Sequence, residues 1–176
     1  MTEAIPFKDA DSRLHAVFSY WSGKKGARPM PARRDIDPLE LGPGILPHLM
    51  LVDVEPGPRF RYRLFGTVVS DHFGMDATGR YIDEVMVGQY KDFILGLYGD
   101  MIAQKKPVYS TSIYGPAVNR NMSTQRLMLP LSSSGDDVDM VLGCQVFLYG
   151  SPVKTLTVRL AQDKAEPIDN LSLKLD

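Results

Sequence analysis

Arg59-Phe60-Arg61-Tyr62-Arg63-Leu64 alternates basic and apolar side chains over six residues, the two-residue period of a strand with one wet and one buried face. Parity puts Phe60, Tyr62 and Leu64 on the buried side and the three arginines on the other. Just before it, His48 to Glu55 reads as a second strand, and Pro56-Gly57-Pro58 between them is turn punctuation. The two runs therefore predict an antiparallel hairpin.

Working outward, Thr67 to Phe73 reads as a short helix stopped by Gly74, and Tyr81 to Met86 as another. Gln89 to Lys106 carries Phe93, Leu97 and Met101 on one side with Ile94, Tyr98 and Ile102 beside them, the main helix, ended by Pro107. Three more β-runs follow: Val108 to Tyr114, Met122 to Leu131 and Val138 to Tyr149. On the amino side, Asp11 and Ser12 are N-cap types before Leu14, Val17, Phe18 and Trp21, an amphipathic helix ending near Gly23. Lys24 to Leu46 is a Pro-, Gly- and Arg-rich connector in which Asp37-Pro38 starts one helical turn. Strands at both ends with helices between them predict an α+β fold: a five-stranded antiparallel sheet with the central helices on one face. The domain spans 11–150, after a flexible start over 1–10 and before a polar tail over 151–176.

In the last strand Met140, Leu142, Cys144, Val146 and Leu148 oppose Val141, Gly143, Gln145 and Phe147, so both faces are largely apolar. Such a strand is buried on two sides and needs a second cover. The amino-terminal helix can supply it, from its own chain or a dimer mate. The expectation is a symmetric homodimer through Leu14, Phe18 and Trp21 against Met140 and Leu142.

Several particular residues carry a family likeness: Tyr20-Trp21 with Met30-Pro31, Ile36-Asp37-Pro38, Leu46-Pro47-His48 running into Leu51-Val52-Asp53-Val54, Arg61 to Thr67, Phe73-Gly74, and Thr78-Gly79-Arg80. With the element order, they resemble the PAS domain, and within it the bacterial PAS family five, over roughly Leu14 to Tyr149. The resemblance implies a PAS fold and a sensory or regulatory module, often standing alone, whose ligand is frequently unassigned and whose output passes through a partner protein or a dimer. It also sets Gly143-Cys144-Gln145 where light-sensing PAS domains place a glutamine against flavin. Their cysteine-bearing helix motif is absent here, which argues against flavin. Haem is disfavoured as well, since no histidine lies between Gln89 and Lys106 and only His72 stands near. The cofactor stays unassigned.

The candidate pocket takes Phe60, Tyr62 and Leu64 from the sheet, His72, and Tyr90, Phe93, Leu97 and Met101 from the helices, with Gln145 as the polar handle. Plain core packing accounts for the same stripe of Met and aromatic residues.

Other functions find little footing. A net charge of −1, from 20 basic and 21 acidic side chains, gives no field to gather nucleic acid. The segregation of Phe60 and Tyr62 from the arginines also differs from an RNA-binding sheet, which displays aromatics beside basic groups. A phosphate or nucleic-acid contact is left to Lys24, Lys25, Arg28, Arg33 and Arg34 of the connector. His15, His48 and His72 lack metal-ligand spacing, and the single Cys144 lies mid-strand among apolar residues. No catalytic motif is present, so an enzyme would need Tyr62 or Tyr109 as acid with a carboxylate such as Asp83 as base. No apolar run is long enough to span a bilayer, and the polar, acid-bearing start lacks the form of a secretory signal. The expectation is a cytoplasmic, non-catalytic module.

Overall fold

The structure, a computed structural model, describes residues 9–114, 122–149 and 158–160. The expectation of a flexible start and most of the tail lie outside them. Helix α1 covers Ser12–Lys25, followed by 3-10 turns at Arg33–Asp35, Pro38–Leu41 and Leu46–His48. Strands β1 (Leu49–Glu55) and β2 (Arg59–Phe65) come next, then α2 (Thr67–Phe73), α3 (Ile82–Val85) and α4 (Gly88–Gln104). Strands β3 (Val108–Tyr114), β4 (Met122–Leu131) and β5 (Met140–Tyr149) complete the predicted set.

Among the described residues the sheet runs β2-β1-β5-β4-β3-β6, antiparallel throughout. The chain's first and fifth strands thus lie side by side, through the β1–β5 pairing of Leu49 with Cys144 and Leu51 with Leu142. The sixth strand, β6 (Val158–Leu160), was not anticipated: it pairs with Val108 to Ser110 and takes residues of the supposed tail into the sheet. A β3 edge with unpaired backbone groups gives such a segment its place.

Helix α1 begins where the capping signal puts it, with the Asp11 carboxylate accepting from the Arg13 N–H at 2.9 Å. It runs past Gly23 to Lys25, because one glycine inside a helix weakens but does not stop it; Gly26, at φ 58°, does. Its apolar stripe of Leu14, Val17, Phe18 and Trp21 is buried against β4 and β5 of its own chain. The Trp21 indole N–H donates to the Pro130 carbonyl at 2.9 Å. The connector closes the same face, through the Ser132 N–H to the Pro31 carbonyl at 3.0 Å and the Tyr20 hydroxyl, which bonds both backbone groups of Asp37.

The outer face is therefore covered, as strand parity required, but from within the chain. Leu14, Phe18, Trp21, Met140 and Leu142 are all at most 7% exposed in a single copy. The dimer expected through these five residues has no surface left to form on. The reason is simple: an amphipathic helix joined to its sheet by a short connector is already at high local concentration, so a second copy competes at a disadvantage.

A second correction comes from β2. Met50 pairs with Phe65 and Leu51 with Leu64, but Val52 pairs with Tyr62, so the register slips by one at Arg63. This bulge inverts parity beyond it. Leu51 is paired with Leu142 of the outer face, which places Leu64 outside with it and turns Phe65 inward, where its ring lies 4.7 Å from Tyr62. Leu64 is thus no pocket residue.

Candidate functional site

The inner face and α4 enclose a cavity with about 20 Å³ of space for water centres, room for one water. Of the residues expected there, Tyr62, Tyr90 and Gln145 line it. Leu97 and Met101 are buried in the core beside it, Phe60 packs on Tyr98 at 4.7 Å between ring centres, and His72 lies flat on Phe147 at 3.7 Å. Phe93 is half-buried, its ring 6.0 Å from the Arg126 guanidinium. The i, i+4 line that α4 turns to the cavity is Tyr90, Ile94 and Tyr98. Both lines of this helix are apolar, so periodicity had no means of choosing between them.

The polar end of the cavity rests on β4 and β5. Arg126 and Gln145 are cross-strand partners, both at 3% exposure, and both line the cavity. The guanidinium donates to the Ser110 hydroxyl at 3.1 Å, to Ser112 at 3.2 Å and to the Tyr90 hydroxyl at 3.2 Å. The Gln145 amide nitrogen has no acceptor among the described residues. Burial holds the Tyr62 and Tyr98 phenols well above the usual tyrosine range. It also lowers the His72 pKa, with the Arg126 charge acting the same way. The sequence reading missed Arg126. The available signal was an arginine inside an otherwise apolar strand run, Leu127-Met128-Leu129 following it directly.

Gln145 is held from the other side of the sheet as well. Strand β1 starts at Leu49 opposite Cys144, and the next carbonyl on that edge, that of Gln145, is met by the His48 ring at 2.9 Å. Arg13 of α1 lies 2.7 Å from the other ring nitrogen, Nε2. A guanidinium only donates, so Nε2 accepts, and His48 carries its proton on Nδ1 and gives it to Gln145. Burial lowers the His48 pKa and favours this neutral form. Asp11 grips Arg13 with both carboxylate oxygens, at 2.8 and 2.9 Å, and its own N–H donates to Gln125 of β4 at 2.7 Å. A continuous hydrogen-bonded path thus joins the cavity's glutamine to the start of α1. In sequence His48 stands at the head of a β-run and in the Leu46-Pro47-His48 motif, without metal-ligand spacing; its bond to Gln145 is invisible without the fold.

The other candidates are accounted for by packing and pairing. Asp53 binds Arg63 at 2.9 Å and Arg61 at 3.3 Å, and Arg59 binds Asp83 at 3.0 Å while covering the Tyr81 ring at 3.5 Å. The β2 arginines are a salt-bridged stripe. Asp83 is therefore held at the surface and not beside Tyr62, and Tyr109, paired with Leu127, lies on the opposite sheet face from Tyr62. In the connector Lys24 meets Glu40 at 2.6 Å and Arg28 meets Asp35 at 2.8 Å, which neutralises part of the basic cluster. Cys144 is fully buried, its thiol pushed up to about 12. Among the described residues no cluster of potential metal ligands occurs, and no helix is long and apolar enough to cross a membrane.

A family model described as PAS domain matches residues 10–146 of the chain. No curated protein and no solved structure gives a match.

Proposed function

This chain belongs to the PAS domain family, and from that premise we propose that it is a sensory or regulatory module that reads occupancy of the cavity at Gln145 and reports it through α1. One residue carries the reading. The side chain of Gln145 presents an unmatched buried donor at the cavity wall, while its carbonyl is held by His48, which is held in turn by Arg13 of α1. A change at the cavity that shifts β5 therefore acts on the contact that seats α1. The module does no chemistry of its own, and a partner protein reads the solvent face of α1 and the connector.

Gly143 offers a test. A Cβ added there would stand 3.2 Å from the Met50 Cε and 3.5 Å from its Cβ, so Gly143→Ala crowds Met50, which lines the cavity, and imitates an occupant. Hydrogen exchange over Ser12–Lys25 should change in Gly143→Ala, and the change should vanish when His48→Ala is added. Identical α1 exchange in Gly143→Ala and wild type refutes the reading. Native mass spectrometry of freshly purified protein addresses occupancy directly.

A further inference from the structure

We infer that His48 is a proton-operated latch on the first turn of α1: a proton at its Nε2 removes the acceptor on which Arg13 rests and loosens residues 11–13 from the sheet. This input is separate from the cavity. It meets the cavity's path at the same contact but needs nothing bound, so the two readings stand or fall apart.

The engagement of the ring carries the inference. Both nitrogens of His48 are in use, Nδ1 with the Gln145 carbonyl at 2.9 Å and Nε2 with the Arg13 Nη1 at 2.7 Å. A carbonyl only accepts and a guanidinium only donates, so the neutral imidazole protonated on Nδ1 is the one form that satisfies both. The imidazolium keeps the first bond and cannot keep the second. Its Nε2–H would face an N–H of Arg13, two like charges at hydrogen-bond distance, and one group must withdraw. His48 ends the turn Leu46–His48, and Leu49 after it is already paired in the sheet, so Arg13 is the one to leave.

The surrounding charges decide what leaves with it. Arg13 holds Asp11 through Nε and Nη2 and meets His48 through Nη1, so its guanidinium lies between imidazole and carboxylate. Burial is the first obstacle to protonating His48, and the Arg13 charge adds to it, outweighing the attraction of Asp11. The Arg13 hydrogen bond holds the Asp11 carboxyl below the usual carboxylate range, so this ion pair survives mild acid and moves as a unit. The start of α1 moves with it, because Asp11 caps the helix through the Arg13 N–H and is tied to Gln125 of β4 by its own N–H at 2.7 Å. The stripe of Leu14, Val17, Phe18 and Trp21 stays buried, which confines the response to the first turn. The other titratable groups on the elements packed around the turn are engaged elsewhere or uncharged. Cys144 of β5 is a buried neutral thiol, Glu40 is paired with Lys24, His72 of α2 lies on Phe147, and Asp71 is exposed.

The test is NMR of the full chain, labelled with carbon-13 and nitrogen-15, between pH 7.5 and 5.0 at fixed ionic strength. The His48 ring carbons report its protonation. Amide protection factors of Arg13, Leu14 and His15, normalised to intrinsic exchange rates, report the first turn. They should fall by about fivefold or more, with the midpoint of the His48 ring, while those of Phe18 and Trp21 stay level. His48→Gln can donate to the Gln145 carbonyl and accept from Arg13 without titrating, and should keep the first turn protected across the range. His15 is the other imidazole on this segment, and His15→Gln should leave the transition in place. The wild-type midpoints decide the matter even where a variant fails to fold. A His48 ring that stays neutral down to pH 5.0, a loss of protection that does not share its midpoint, or a loss that persists in His48→Gln overturns the latch. The cavity reading is decided by Gly143→Ala at pH 7.5, and none of these results touches it.

Discussion

Gly66 and Gly23 should respond to the same substitution with opposite signs. Gly66 caps α2 in an ordinary extended conformation, φ −61° and ψ 150°, which alanine adopts without strain. On backbone grounds alone Gly66→Ala would stabilise by about 0.4–1 kcal/mol, by restricting the unfolded chain. The tertiary structure reverses this. A Cβ there would lie 2.3 Å from the Pro47 carbonyl oxygen and 2.7 Å from that of Leu49. Both are backbone atoms at the entry to β1, so no rotamer change relieves the contact. The Gly66 N–H also donates to the Leu49 carbonyl at 2.9 Å, and moving the segments apart loosens that bond. Overpacking costs about 1–3 kcal/mol when side chains can adjust, so a clash with two carbonyls belongs at about 3 kcal/mol or above. With about 2–4 °C per kcal/mol for a chain of this length, the unfolding temperature should fall by roughly 6–12 °C. At Gly23, inside α1, an added Cβ meets nothing within 4 Å. Gly23→Ala should therefore stabilise by about 0.5–1 kcal/mol through helix propensity. Scanning calorimetry of the two variants decides it. A Gly66→Ala protein melting within 2 °C of wild type would show that the β1 entry yields freely, and the argument from close approach would be wrong.

Three further outcomes follow from the same geometry. Trp21→Ala removes a buried ring and leaves the Pro130 carbonyl unpaired, and should cost about 3–5 kcal/mol by urea denaturation, although the helix it sits on lies outside the sheet. Because β2 slips register at Arg63, Phe65→Ala should destabilise far more than Leu64→Ala; equal losses would contradict the bulge. Folding lowers the His48 pKa from its ordinary value near 6.5, so the unfolded chain takes up its proton first as pH falls. The contribution is complete above the unfolded pKa and is lost as pH drops through the lower folded value. Wild-type stability should thus decline between pH 7.5 and 5.5, His72 acting in the same direction, and His48→Gln should flatten the curve.

Local pattern was sufficient wherever one residue's neighbours in sequence are also its neighbours in space. The Asp11 cap, the β2 span Arg59–Phe65, the α2 span Thr67–Phe73 and the β3 and β4 spans stand where period and punctuation put them. The two apolar faces of β5 required a second cover, and α1 supplies it. Composition and order determined this much because burial of an amphipathic face is a property of the segment that carries it.

Tertiary structure decided everything that depends on which segments meet. A bulge at Arg63 exchanged Leu64 for Phe65, since a one-residue slip in pairing is set by the partner strand and leaves no mark in the alternation itself. The choice of Tyr90, Ile94 and Tyr98 over Phe93, Leu97 and Met101 followed from how α4 is seated on the sheet. Docking of α1 on its own chain consumed the face that would have joined two copies. Above all, Arg126 and Gln145 are 19 positions apart in the chain and become neighbours only through β4–β5 pairing, and His48 reaches Gln145 only because β1 lies beside β5. Gln145 was legible as a polar residue in an apolar strand. What it faces, on either side of the sheet, is a matter of long-range pairing, and sequence periodicity carries no information about that.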